Sequence, residues 1–294
     1  MIKRMHPSVS GTGRYGRAVD ERVRTLLRTA QTWFPGMEEA KYAFQRGVRR
    51  TLRRPFELEF RAVPLLGLPM NALILDVGAN RGQTIDALHL VAPGRQVVAF
   101  EPNMVLADRL RRRYAHRSQV DVHAVGLGDV TGTFTLHVPV YNGYVFDGLA
   151  SFDESAARDW LVGRLIGYND ERLEIRPMTC AVERLDDLGL APALVKLDVQ
   201  GLELQALRGA RRTLARHQPA LLVEAPCAEL IKYLTVFGYR PYSYEDGRLV
   251  EGYRDGANTF FLTVDDAGRY RQDRRHLRAR WRPSARIGTQ ECGR

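Results

Sequence analysis

The segment Ile74-Leu75-Asp76-Val77-Gly78-Ala79-Asn80-Arg81-Gly82-Gln83-Thr84 decides the fold. A short apolar run ends in an acid, two glycines flank Asn80, and Ile85, Leu88 and Val91 then recur at helical spacing until Pro93-Gly94. That order predicts strand, tight turn and helix, the geometry that brings backbone amides and a helix N-terminus up to a bound cofactor. Spacing separates two cofactor classes. A dinucleotide fingerprint is G-x-G-x-x-G, with the pyrophosphate on the helix N-terminus. Here the pattern is D-x-G-x-N-x-G, with Asn80 replacing the second glycine and the last glycine arriving one residue early. An acid at the strand end suits a ligand carrying a positive charge, such as the methionine ammonium of S-adenosylmethionine. An ordinary strand-to-helix turn is the competing reading of the same residues.

Gln96-Val97-Val98-Ala99-Phe100 is a second strand, closed by Glu101-Pro102-Asn103. An acid at the tip of a second strand, about 20 residues past the glycine turn, is where a nucleoside ribose finds acceptors for both hydroxyls. The alternative for Glu101 is a helix-start charge, since the apolar face Leu106, Leu110, Tyr114 follows it. Asp76 and the glycines upstream favour the ribose role.

These segments, continued by Val122-His123-Ala124-Val125-Gly126-Leu127-Gly128-Asp129, by Leu194-Val195-Lys196-Leu197-Asp198-Val199-Gln200-Gly201 and by Pro219-Ala220-Leu221-Leu222-Val223-Glu224, resemble the FkbM-type methyltransferases. The resemblance runs from about Asn71 to Leu262. It implies a class I enzyme that uses S-adenosylmethionine to O-methylate a hydroxyl of a sugar, glycolipid or natural product. The implied fold is α/β and Rossmann-like: a mostly parallel seven-stranded sheet with helices on both faces and a closing antiparallel strand pair. Where the family carries an acid in a D-V-E-G segment this chain has Gln200, and Leu202 stands where histidine is frequent.

The resemblance assigns Asp76, Gly78, Asn80, Gly82, Thr84, Glu101, Pro102 and Asp129 to the cofactor, with Asp129 beside the adenine; a turn acid is the rival role for Asp129. By the same analogy Asp198, at the fourth strand, lies nearest the sulfonium methyl. A positioned base must take the hydroxyl proton. Asp198 is the first candidate, with Glu203, Glu224 and His123 behind it, and orienting the cofactor or acceptor is the other role open to Asp198. A divalent metal held by Asp198 and Glu224 is the minor alternative, since no histidine or third acid stands at ligand spacing, and the site is read without one.

With 45% hydrophobic and 27% charged residues among 294, the chain is long enough for one sizeable core with appendages. The net charge of +10 belongs to its ends: residues 1–62 carry +8 and 268–294 carry +7, while 63–267 carry −5. The sequence therefore divides into a basic helical extension (1–62), the methyltransferase domain (63–267) and a basic tail (268–294) expected to be disordered. This distribution does not suggest a field that recruits nucleic acid to the active site. Cys180, Cys227 and Cys292 are odd in number and unclustered, indicating neither a disulfide framework nor a C-x-x-C metal site. A reducing, cytoplasmic setting is the simplest expectation. No signal peptide is expected from residues 1–7, and the apolar region 62–79 is interrupted by Pro64, Pro69, Asn71 and Asp76, so it cannot span a bilayer.

Along the chain, residues 1–18 are expected to be mobile. A helical pattern starts at Asp20 with Val23, Leu26, Leu27, Ala30 and Trp33 on one face, and a second basic piece runs from Tyr42 to Leu52. They either cover an edge of the core or meet an anionic membrane surface, making the enzyme membrane-peripheral. Val120–Val125 alternates as a third strand and Thr133–Val138 as an added one. Residues 141–175 hold Tyr141, Tyr144, Phe146, Phe152, Trp160 and Tyr168, which suit either a sugar or polyketide face or local packing under a lid. Ser151 and Glu154 read as a capping pair before the helical pattern Ala156–Leu165. One helix is expected to bury Leu204, Leu207, Ala210 and Leu214. Tyr239–Tyr244 and Thr259–Thr263 form the closing pair, with Glu245-Asp246-Gly247 as the turn.

Three rival classes fare worse. A short-chain dehydrogenase needs Tyr-x-x-x-Lys, and no tyrosine here has lysine four residues on. An RNA methyltransferase would explain the basic ends, yet neither a (D/N)-P-P-(Y/W) segment nor an added RNA-binding module is present. A non-catalytic S-adenosylmethionine-binding module should have lost some cofactor acids, and none is lost.

Overall fold

A computed structural model describes residues 25–26, 28–33, 46–48, 51–52, 55–254 and 256–263. The expectations for residues 1–18, for the tail and for most of the two basic helical pieces lie outside them. The chain divides into two compact units. One is formed by His137–Pro177 with described residues of 25–33, the other by described residues of 44–136 and 178–263. The sequence boundary at 62/63 falls inside a 3-10 helix, Leu58–Leu66.

In the larger unit the chain alternates strand and helix. It runs β1 (Leu73–Val77), α1 (Gln83–Val91), β2 (Gln96–Phe100), α2 (Met104–Tyr114) and β3 (Val120–His123), then a short β4 (Val125–Leu127). Next β5 (Gly132–Tyr141) leads into the smaller unit, which holds β6 (Tyr144–Val145) and α3 (Glu154–Asp159), and β7 (Leu173–Glu183) leads back. The main fold resumes with β8 (Leu194–Leu197), α4 (Glu203–Arg208), α5 (Arg211–His217), β9 (Ala220–Val223) and α6 (Ala228–Thr235). It ends with β10 (Tyr239–Glu245), β11 (Arg248–Glu251) and β12 (Thr259–Thr263).

The sheet order is β3-β2-β1-β8-β9-β12-β10-β11. Strands β3, β2, β1, β8 and β9 are parallel, and β12 lies antiparallel between β9 and β10. From β1 the chain builds the sheet outward to β3, then returns to β1's other side with β8. The strand order thus reverses between β1 and β8, the place where open α/β sheets hold their ligands. This is the expected class I arrangement with eight strands in place of seven. The turn at Asp246-Gly247 joins β10 to β11, an extra antiparallel edge strand. It does not join β10 to β12 directly, so the closing pair is formed by strands that are not consecutive.

Period-two alternation explains why helices cover both faces. Ile74, Val97, Ala99, Leu194 and Leu222 point into one core with Ile85 and Leu88 of α1 and Leu110 of α2. Leu75, Val77, Val195, Leu197 and Leu221 point into the other with Leu204 and Leu207 of α4, Leu214 of α5 and Leu230 of α6. The single helix expected to bury Leu204, Leu207, Ala210 and Leu214 is two helices meeting at Gly209-Ala210. A Cβ at Gly209 would stand 1.8 Å from the Gly128 carbonyl oxygen, so the close approach of the β4 turn accounts for glycine at this junction.

In the smaller unit, Tyr141, Tyr144 and Phe146 are buried with Leu161, Leu165 and Leu173, and Trp160 and Tyr168 pack against them. Local packing is therefore what these aromatics do. Ser151 is not the helix cap. Asp153 accepts from the Ser155 and Ala156 amides at the start of α3, while Ser151 Oγ accepts from the Asp153 amide. The helix itself is one turn and a half, shorter than the pattern to Leu165 suggested. Cys180 is a buried free thiol. Among the described residues no helix is long and apolar enough to cross a membrane.

Candidate functional site

Four carboxylates come to the C-terminal tips of adjacent parallel strands: Asp76 in β1, Glu101 after β2, Asp198 after β8 and Glu224 after β9. Backbone hydrogen bonds carry the ladder past the strand ends. The amides of Gly78 and Ala79 donate to the Phe100 carbonyl, Asp198 N to Val77 O and Glu224 N to Leu197 O. The tips are thus locked side by side and their side chains share one edge.

The turn after β1 needs its glycines for two different reasons. Gly78 has φ +83°, and a Cβ there would lie 1.9 Å from the Asp198 carbonyl oxygen. Gly82, φ +80°, begins α1 and leaves no room for a Cβ beside the Tyr114 hydroxyl, which donates to the Gly82 carbonyl at 3.0 Å. Asn80 between them also takes a positive φ of 47°, a region asparagine tolerates better than most residues. Thr84 is buried in the first turn of α1.

Asp76 is fully buried, and neither carboxylate oxygen has a hydrogen-bond partner. Burial raises its pKa from 3.8 to about 7; Asp198 and Glu101 push the same way, while Lys196 and the Thr84 hydroxyl oppose. Glu101 is also buried, but satisfied: Oε2 accepts from Asn80 N at 2.7 Å and Oε1 from Asn103 N at 2.9 Å. It therefore ties the glycine turn to the start of α2, where Asn103 Oδ1 caps the helix by accepting from Val105 N and Leu106 N.

Asp198 and Glu224 form a hydrogen-bonded pair beside the buried Lys196, whose Nζ lies 3.6 Å from Asp198 Oδ2 and donates to the Leu197 carbonyl. Gln200 Nε2 donates to Asp198 Oδ1 at 3.0 Å. These partners outweigh desolvation and hold the Asp198 pKa below its ordinary value. The Asp198 hydrogen bond, then burial, pushes Glu224 up to about 8. At neutral pH the pair retains one proton, on Glu224, and Asp198 is the ionised member. An acid at position 200 would repel that charge, whereas glutamine donates to it.

Glu203, a reserve base in the sequence reading, has a different use. Its Oε1 accepts from the Val199 and Gly201 amides and pins the turn between β8 and α4. His123, at the tip of β3, packs against the Phe100 ring and bonds Asp121 Oδ2 through Nε2 at 3.0 Å. Pro102 lies partly buried between Glu101 and the cap of α2. Asp129 does not join the strand tips: it is exposed beyond β4, with its Cα near the α4–α5 junction.

Sequence reasoning missed Glu57, just ahead of the Leu58–Leu66 helix. Asn258 Nδ2 donates to its Oε2 at 2.8 Å. Burial raises its pKa, and it lies within the electrostatic reach of Lys196, Asp198 and Glu224. No local pattern marks it, because its neighbours come from chain positions far downstream. Carboxylates outnumber the one buried ammonium in this group, a balance that suits a cationic ligand.

The chain is similar to known proteins. The chain is 35% identical over 170 residues to the AMB antimetabolite synthetase AmbE of Pseudomonas aeruginosa, covering 48% of this chain and 8% of that protein. It is 28% identical over 179 residues to the 2-O-methyltransferase NoeI of Sinorhizobium fredii, covering 59% of this chain and 70% of that one. Among solved structures, methyltransferase FkbM from Methylobacillus flagellatus KT aligns with a TM-score of 0.45 at 19% identity, covering 69% of this chain and 47% of its own. The family model described as the methyltransferase FkbM domain matches residues 76–241, from the buried acid of β1 to β10, which is more than half of the chain. The chain belongs to the FkbM methyltransferase family.

Proposed function

We propose that the chain is an S-adenosylmethionine-dependent O-methyltransferase acting on a hydroxyl of a sugar, glycolipid or natural product. The observation that carries this reading is Asp76, whose buried carboxylate lacks any partner at the point where the strand order reverses. An ionised, unpartnered carboxylate is costly to bury, and a ligand ammonium supplies the missing donors. Glu101, at the tip of the second strand beside the glycine turn, is the acid placed to accept from the ribose hydroxyls. When bound, the cofactor supplies a methyl group on a sulfonium. The chain's own residues bind and orient it, and Asp198, kept ionised by Lys196, Gln200 and the Glu224 proton, accepts the proton of the acceptor hydroxyl. The printed name of NoeI, a 2-O-methyltransferase, supports oxygen as the acceptor atom.

The basic ends fit a cytoplasmic enzyme held at an anionic membrane face, near a lipid-linked acceptor. Calorimetry with S-adenosylhomocysteine and NAD tests the cofactor: the first should bind and the second should not. Mass spectrometry of glycans and glycolipids from cells with and without the protein tests the acceptor. A species lighter by one methylene in the deficient cells is expected. Binding of NAD with no response to S-adenosylhomocysteine would overturn the proposal.

A further inference from the structure

A cavity lies on the larger unit, along the outer face of α1 from Gln83 to Leu90, and it has a volume of about 510 Å³. That size falls in the range of small-molecule sites. Its walls include Arg46, Arg113 and Arg117 against one acid, Asp86, together with His89. Asp86 is already engaged, because Arg113 Nη2 pairs with one of its oxygens and the Tyr114 hydroxyl donates to the other at 2.9 Å. Arg113 also donates to the Arg81 carbonyl, so it is held in place by the fold.

The remaining cations are not spent. Among the described residues, the side chains of Arg46 and Arg117 have no hydrogen bond or ion pair. His89 has both ring nitrogens buried without a partner, and burial, with Arg117 and Arg113 nearby, lowers its pKa. Arg46 is held below its ordinary value by burial and next by the facing Arg113. Mutual repulsion of this kind is relieved by an anion placed between the guanidinium groups, which bind phosphate oxygens in a bidentate fashion.

We propose that this cavity binds the phosphate or diphosphate group of a second ligand, held by Arg46 and Arg117 and backed by the anchored Arg113. The site is separate from the strand tips that carry Asp76 and Asp198. Two sources share this chemistry, a soluble phosphorylated metabolite and a phospholipid headgroup.

The test titrates the full chain with pyrophosphate and with inorganic phosphate by calorimetry, without any methyl donor. In parallel, flotation uses vesicles of phosphatidylglycerol or of phosphatidylcholine. Arg117→Ala, at an exposed position, and Arg46→Gln are compared with the wild type after circular dichroism melts confirm folding. Pyrophosphate should bind, more weakly at high salt, and each substitution should weaken it roughly tenfold. Binding to phosphatidylglycerol vesicles alone, weakened to the same extent by Arg117→Ala, supports the site and assigns its source to a headgroup. Failure of both ligands to bind, or binding equal in wild type and folded variants, overturns the proposal. Neither result depends on whether the chain transfers methyl groups.

Discussion

Replacing Asp76 by asparagine should change stability and ligand affinity in opposite directions. In the ligand-free fold the carboxyl pKa is raised from 3.8 to about 7, chiefly by burial. Above pH 7 that corresponds to about 4 kcal/mol held against the ionised form. The sign follows from linkage: between pH 3.8 and 7 the folded state holds the proton more tightly than the unfolded chain, so stability falls as pH rises and levels off above 7. Asparagine removes this charge but leaves a buried amide without a partner, which costs about 1–3 kcal/mol. The net expectation at pH 8 is a gain of about 1–3 kcal/mol, or roughly 2–4 °C in melting temperature per kcal/mol for a domain of this size. Near pH 3, where the carboxyl is protonated in both states, the gain should be gone and only the amide's cost of about 1–3 kcal/mol should remain. Affinity for S-adenosylhomocysteine should meanwhile fall by about 1.5–3 kcal/mol for the lost charge-assisted bond. Calorimetric binding and melting curves from pH 3 to 8 measure both. A variant less stable than wild type at pH 8 would refute the uncompensated charge, and unchanged affinity would refute the ammonium contact.

Three other outcomes are expected. Asp198→Asn should slow methyl transfer by about a hundredfold or more while leaving S-adenosylhomocysteine affinity nearly intact; parallel losses of rate and affinity would assign Asp198 to binding instead. Gly78→Ala should cost more than about 3 kcal/mol, because its Cβ meets the Asp198 carbonyl at 1.9 Å and the left-handed φ adds strain, and an unaltered melting curve would contradict this. Glu57→Gln should move the proton loss of Glu224 from about 8 to lower pH, since one neighbouring negative charge is removed, and NMR titration of the Glu224 carboxyl carbon reads the shift.

The strand–turn–helix at 74–91, the acids closing β1, β2, β8 and β9, and the two-sided core were legible because each rests on local periodicity and turn chemistry. Other features depended on contacts between distant segments. β11 was overlooked because a hairpin turn does not reveal which strand finally inserts beside β9. The split of α4 from α5 arises where the β4 turn presses on Gly209, a contact no window around residue 209 contains. Glu203 resembled its neighbours as an acid near the site, and only the amides of Val199 and Gly201 show how it is used. Glu57 was invisible for the same reason, since its surroundings are assembled by folding.

The 1.9 Å that a Cβ at Gly78 would leave to the Asp198 carbonyl also constrains how the enzyme can change. The turn beside Asp76 and the backbone of Asp198 rest on one another, with no side chain between them to act as a cushion. A shift at either one is handed to the other undiminished. Divergence toward new acceptors has almost no freedom at this seam. It is confined to parts whose backbone is not paired with β1 or β8, such as the segment between β5 and β7.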